Sequence, residues 1–472
     1  MSSKKFLLTV IVFLAIFTRF FGLKWGDGHY FHPDENNMAS SLSQLKLQDL
    51  NPRFFAYGQF PLYLGFFTLK SLGLDNDFTN SVFILRFYSA VFSVLSLYFF
   101  YKICPNLKFI ILLIFTPGLI QLAHFGTTES LLILTFAINL YLAKLMLKKL
   151  KLKYFLSASI VSAVALATKL SGIIFTGPIL LVLLFQNFYL ILPFLILTLL
   201  LAAIFSPYNL ILWPDFLSSM KYETGVASGR LPVFYTQQFV GTWPYIFQLT
   251  KIFPYTNGLP VVIFSFFSLK NIKKIFSNKF NLIVALSALV YFLYFGQLYV
   301  KWTRFMSPLF FLLPLLSLPL LKKFPKLIFL GILPGILFFA NYFLPDTRVQ
   351  ASDFILKNIP QNSTILSESG NVVNLPLSGN FQVTNYDFYN YDPTLLEPLI
   401  NNSEYILVPS RRVFKNYDLP YHRDLFSGQL PFQLWRTFSP LPDFLLNGEN
   451  AEETWTVFDR PTLRLYQHDS YH

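Results

Sequence analysis

The chain has 472 residues, 54% of them hydrophobic, 19% aromatic and only 13% charged, with a formal net charge of +13. So little charge cannot cover a water-soluble fold of this length, and a bilayer must supply much of its solvent. Of the Lys and Arg residues, 28 lie in residues 1–344 against 9 Asp and Glu there, whereas residues 345–472 hold 9 and 15; the basicity belongs to the membrane part, which excludes a nucleic-acid partner.

The first apolar run follows Lys4-Lys5 and has no small-residue cleavage site after it, so it reads as a retained span at about 6–23. Basic clusters at Lys4-Lys5, Lys144 to Lys153, Lys270 to Lys279 and Lys322 to Lys326 separate the later runs. Placing them in the cytoplasm orients the chain. Residues 24–82 then form an outer loop in which Tyr57 to Leu72 lies along the interface. Spans follow at about 83–101, 108–124 and 129–146.

The stretch 154–187 is too long for one crossing and must break near Lys169-Leu170-Ser171-Gly172, because two short crossings keep the later basic clusters inside. A span at 188–206 leads to a second outer loop at 207–256. Further spans lie at 257–269, 280–297, 305–321 and 327–344. The expected fold class is mostly α, a polytopic membrane domain (1–344) of about eleven transmembrane helices. An extracytoplasmic mixed α/β domain (345–472) follows it. In the second domain Ala351 to Leu356 reads as helix, and Ser363 to Leu366, Tyr405 to Val408, Thr454 to Phe458 and Leu463 to Tyr466 read as alternating, strand-like segments. The single cysteine, Cys104, excludes an intrachain disulfide.

Every acidic residue before 345 falls in an outer loop or at an outer span end in this topology, which makes the outer face the chemical one. His32-Pro33-Asp34-Glu35 is its sharpest feature. The pair of carboxylates could cap a helix starting near Asn36, or supply a general base toward a hydroxyl. Glu129 opens a span on the same face, and Glu223 lies in the second outer loop; with His32 they are the further substrate contacts expected. Arg86, Lys169 and Arg304 sit in apolar sequence at outer span ends, where a cation is costly unless it meets an anion or snorkels. Together they look like a phosphate site beside a base. His29, His32, Asp34 and His124 have a looser, metal-like grouping; a divalent ion is the weaker reading and no cofactor is required.

These residues occur in an ordered set: HPDE at 32–35, FPLYL at 60–64, LRFYSAVFSVLSLY at 85–98, TESLLILTFAINLYL at 128–142, ALATKLSGIIF at 165–175 and KWTRFMSPLFFLLP at 301–314. The tail adds ASDFILKNIPQNSTILSE at 351–368, YILVPSRR at 405–412 and AEETWTVFDRP at 451–461. In this order the chain resembles glycosyltransferase family 39 of the GT-C superfamily. That family includes the dolichyl-phosphate-mannose–protein mannosyltransferases and the bacterial aminoarabinose transferases. The resemblance implies a polyprenyl-phosphate sugar donor and a glycan, lipid or protein acceptor. It also implies extracytoplasmic chemistry at the plasma (inner) membrane, with the base at Asp34 and Glu35 beside it. It makes Lys169, Arg86 and Arg304 candidate ligands of the lipid phosphate. The expected reaction is an inverting transfer. A lipid-linked-sugar flippase, a polysaccharide polymerase or ligase using a diphosphate-linked donor, and a non-catalytic scaffold are the rival readings.

Overall fold

A computed structural model describes residues 3–271, 278–368, 375–412 and 419–471. Lys273 and Lys274 of one expected cytoplasmic cluster lie outside these residues. The chain divides into two compact units, one of residues 1–23, 34–231 and 243–339, the other of 24–33, 232–242 and 340–472.

The first unit is helical, and its apolar helices are those of an integral membrane protein. Among the described residues, Phe78–Ile103, Glu129–Lys148, Phe188–Phe205 and Lys279–Gly296 are long and apolar enough to cross a bilayer alone. Two bent pairs, Leu107–Ile114 with Pro117–His124 (53°) and Thr303–Leu309 with Leu312–Lys323 (50°), resemble broken crossings. Leu152–Thr168, Leu170–Gln186 and Leu259–Ser268 are shorter apolar helices. The chain breaks at Lys169, where the expected double crossing must be cut.

Local chemistry explains the ends. The α4 helix (Phe78–Ile103) starts where the Asp77 side chain accepts from the Asn80 N–H at 2.8 Å. Its buried face carries Ser81, Ser89, Ala90, Ser93 and Ser96, small enough for neighbouring helices to approach closely. The break between α5 (Leu107–Ile114) and α6 (Pro117–His124) follows from Pro117, which cannot donate to the helix ladder. Carbonyls freed there need donors in an apolar medium. Arg19 of α1 (Ser3–Phe20), itself fully buried, donates to Leu113 O at 3.0 Å and Ile114 O at 2.6 Å. The segment 207–256, read from sequence only as a loop, contains a 16-residue helix, Trp213–Ser228, ended by Gly229 in the left-handed region (φ 77°).

Among the described residues the second unit carries a five-stranded sheet in the order β2-β1-β3-β5-β4. Its strands are β1 (Thr364–Glu368), β2 (Gln382–Tyr386), β3 (Tyr405–Val408), β4 (Phe432–Phe438) and β5 (Leu463–His468). β1 is parallel to β2 and β3, while β5 pairs antiparallel with β3 and β4. Alternation splits the side chains into two cores. Ile365, Leu407 and Leu465 pack with Ala351 and Ile355 of the helix Thr347–Asn358. Leu366, Ile406, Val408 and Tyr466 pack on the other face with Leu396 and Leu425. One expectation is corrected here: Thr454–Val457 is a helical turn rather than a strand, with Trp455 fully buried. Five residues are too few for period to separate the two states.

Candidate active site

The helix α2 (Pro33–Ser43) opens with proline at its first position, where no N–H is needed, and puts Asp34 and Glu35 in its first turn. Free backbone N–H groups and the helix dipole favour carboxylates there, but the helix starts at Pro33 rather than near Asn36, so neither carboxylate is its N-cap. The two carboxylates have different surroundings. Glu35 is fully buried and takes Arg86 Nη2 at 2.6 Å, Arg86 Nε at 2.9 Å and the Gly126 N–H at 2.7 Å. Arg86 also donates to Leu23 O at 2.9 Å. This is a two-pronged, charge-assisted pair in an apolar setting. Gly126 is required by space: a Cβ there would lie 2.9 Å from Leu85 Cβ and 3.1 Å from Glu35 Oε2.

Asp34 is about one-fifth exposed and forms an ion pair with Arg304, whose exposure is similar. Arg304 lies in the 3-10 turn Thr303–Leu309, its guanidinium 4.6 Å from the Trp302 ring centroid.

A second cluster forms around Lys169, which sits in extended conformation between α8 (Leu152–Thr168) and the 3-10 segment Leu170–Thr176. Its ammonium lies 3.6 Å from Glu129 Oε1, an ion-pair distance rather than a hydrogen bond. It also faces the rings of Tyr57 (5.0 Å) and Phe305 (5.6 Å). Tyr57 is held there by its neighbour: the Gly58 N–H donates to Thr168 O at 2.9 Å, and a Cβ on Gly58 would fall 1.9 Å from Ala167 O. Glu223, on the helix Trp213–Ser228, is half-buried. Burial raises its carboxyl above the ordinary value, and the Lys169 charge draws it partly back.

Two short pieces of chain join the clusters. Arg304 reaches Asp34 while the adjacent Phe305 faces Lys169. Gly126 binds Glu35 while Glu129, three residues on, faces Lys169. The Lys169 neighbours Ala167 and Leu170 line a cavity of about 670 Å³, whose walls include Tyr57, Leu200, Trp213 and Met220.

No protein-family model matches the chain, and no curated protein sequence matches it. Solved structures do. ArnT from Cupriavidus metallidurans bound to undecaprenyl phosphate superposes with a TM-score of 0.53 at 12% identity, over 97% of each chain. The same protein in its apo state gives 0.52 at 13% identity, over 98% of each. The chain has the fold of ArnT.

Within this fold the expected site residues meet one another. Asp34 meets Arg304, Glu35 meets Arg86, and Lys169 meets Glu129 while its charge acts on the Glu223 carboxyl. Arg86, expected among phosphate ligands, is only 2% exposed and has its guanidinium engaged by Glu35 and Leu23 O. His32 is buried in the second unit with its ring 4.3 Å from that of Phe458. His124 is buried, its ring nitrogens 2.8 Å from Ile120 O and Phe21 O. Sequence reasoning missed Tyr57, Gly126 and Trp302. Trp302 carried a usable signal, since it stands two residues before Arg304 in KWTRF; Tyr57 and Gly126 carried none, because their partners are remote in sequence.

Proposed function

We propose that the protein transfers a sugar from a polyprenyl-phosphate donor to an acceptor hydroxyl on the extracytoplasmic side of the membrane. The observation that carries this reading is the large apolar cavity lined by Tyr57, whose ring faces the Lys169 ammonium, with Phe305 and Arg304 linking that cation to a part-exposed carboxylate. An isoprenoid chain suits the apolar walls, and its phosphate suits the cation that Tyr57 of those walls faces. The structurally similar ArnT was seen with undecaprenyl phosphate, which fits a donor of that class.

In this reaction Asp34 takes the proton of the acceptor hydroxyl as that oxygen attacks the anomeric carbon. The bond from that carbon to the phosphate oxygen breaks, and configuration inverts. Charge grows on the departing polyprenyl phosphate, so cations that face it stabilise the transition state more than the ground state. Lys169 and Arg304 serve that role, and the reading calls for no metal ion. In the resting state Arg304 neutralises Asp34; as it turns to the phosphate, the carboxylate is released to act as base. Arg86 is reassigned from phosphate ligand to positioning residue, holding Glu35 and with it the turn that bears Asp34. Glu129 orients Lys169 from the opposite side. In this reading residues 1–344 carry the reaction, and residues 345–472 lie outside the membrane as a separate domain.

Asp34→Asn keeps the shape and removes the base. Incubated with a labelled polyprenyl-phosphate sugar and a membrane extract as acceptor source, the purified wild-type protein should release polyprenyl phosphate and form a new glycoside. The variant should be slower by about 10²–10⁴. Normal turnover by Asp34→Asn would exclude Asp34 as the base, and no released phosphate from the wild type would remove the transferase reading itself.

A further inference from the structure

Glu368 ends β1, and its carboxyl is buried in the second unit, with 5% of the residue exposed. Neither of its oxygens has a hydrogen-bond partner among the described residues. A buried carboxyl left so is costly, and native proteins rarely leave one without a use. Its position in the sheet is informative. The chain runs from β1 to β2 on one side, then crosses to β3 on the other, all three parallel. The carboxyl ends of β1 and β3 therefore flank a topological switch point, the crevice where open α/β sheets take ligands.

A cavity of about 10 Å³ occupies that crevice, the room one water-sized group needs. Glu368 lines it with the rings of Phe388, Tyr421 and His422 and with Val408 and Pro409 at the end of β3. Phe388 stacks on Tyr421 at 5.3 Å, and its centroid lies 5.0 Å from that of His422. Among the described residues the charges around the carboxyl are Arg412, which is paired with Glu453, and Asp387. An ionised Glu368 thus leaves the crevice net negative. Burial holds His422 down to about 4, so at neutral pH it adds no positive charge.

We propose that this crevice binds a primary ammonium group, seated against the Phe388, Tyr421 and His422 rings with the Glu368 carboxylate as counter-ion. An ammonium head is about the size of a water molecule. It donates to both carboxylate oxygens and is attracted by the faces of aromatic rings. A neutral water fills the same space without meeting the charge. Burial raises the Glu368 carboxyl to about 8, Arg412 lowering it and Glu453 and Asp387 raising it again. The cation therefore competes with a proton and binds more tightly as the pH rises toward 8.

The test is calorimetric titration of the purified full-length protein with methylammonium chloride at pH 6 and pH 8.5. Binding at pH 8.5 should be at least tenfold tighter than at pH 6, absent with tetramethylammonium, which is too large, and lost in folded Glu368→Gln. Phe388→Leu should weaken it severalfold while keeping the pH dependence. Absence of binding by the wild type at pH 8.5, unchanged binding in Glu368→Gln, or an equal response to potassium chloride would each overturn the proposal. None of these results depends on sugar transfer.

Discussion

The reassignment of Arg86 can be tested against its alternative as a phosphate ligand. Arg86 and Glu35 are 2% and 0% exposed, joined by bonds of 2.6 and 2.9 Å, with Gly126 N–H as a third donor to the carboxylate. Removing one member leaves the other as a buried charge lacking its counter-ion, which costs about 3–5 kcal/mol. Glu35→Gln and Arg86→Met should each lose that much stability in equilibrium unfolding from mixed detergent micelles. The double variant leaves no buried charge in the pair, and a glutamine oxygen can still accept from Gly126. It should recover about 3 kcal/mol relative to the sum of the single losses. Activity follows the same pattern: kcat should fall with each single change and return in part in the double variant, with KM for the donor little altered. Additive stability losses, or a donor KM raised equally by Arg86→Met and by the double variant, would refute the structural role and restore Arg86 to the phosphate site.

Lys169→Ala should lower kcat tenfold or more, since the departing phosphate loses its cation, and raise KM for the lipid donor more than acceptor KM; equal effects on the two KM values, measured by initial rates, would count against a phosphate role. Gly126→Ala should destabilise by about 1–3 kcal/mol, because the new methyl group meets Leu85 and the Glu35 carboxylate at once; a thermal midpoint equal to wild type would show that this loop yields. Glu368 has a folded value of about 8 against an ordinary 4.5, so the folded state holds its proton longer than the unfolded state does. The stability linked to it is fully present below pH 4.5 and declines as pH rises to about 8. Glu368→Gln should flatten that slope in a series of unfolding midpoints; an unchanged slope would contradict it.

Much of the candidate site is legible in the sequence wherever a charge interrupts an apolar run. Asp34, Lys169 and Arg304 stand out because burying them without partners is expensive, and the break at Lys169 follows from the length a bilayer allows. The pairing of those charges is not legible. Arg86 and Glu35 are 51 residues apart, and only the packing of α4 against the first turn of α2 brings them together. In the second unit the central strands β1, β3 and β5 show buried patterns, whereas β2 and β4 have escaped notice. Both lie at sheet edges, and β4 is exposed along its middle. Without a buried face there is no alternation to read. The helix Trp213–Ser228 was hidden in a similar way, since Val226 is its only fully buried residue.

One peptide bond separates the residue that masks Asp34 from the residue that faces Lys169. Arg304 and Phe305 share a single short turn, so a shift that frees the carboxylate also disturbs the ring beside the ammonium. In the proposed reaction, unmasking the base and admitting the donor phosphate then become one event rather than two. A carboxylate unmasked only when the lipid is seated has little opportunity to activate water, which would guard a costly lipid-linked sugar against hydrolysis. Phe305→Ala should loosen that linkage, seen as more free sugar released per turnover when acceptor is scarce; an unchanged ratio would mean that the two clusters move independently.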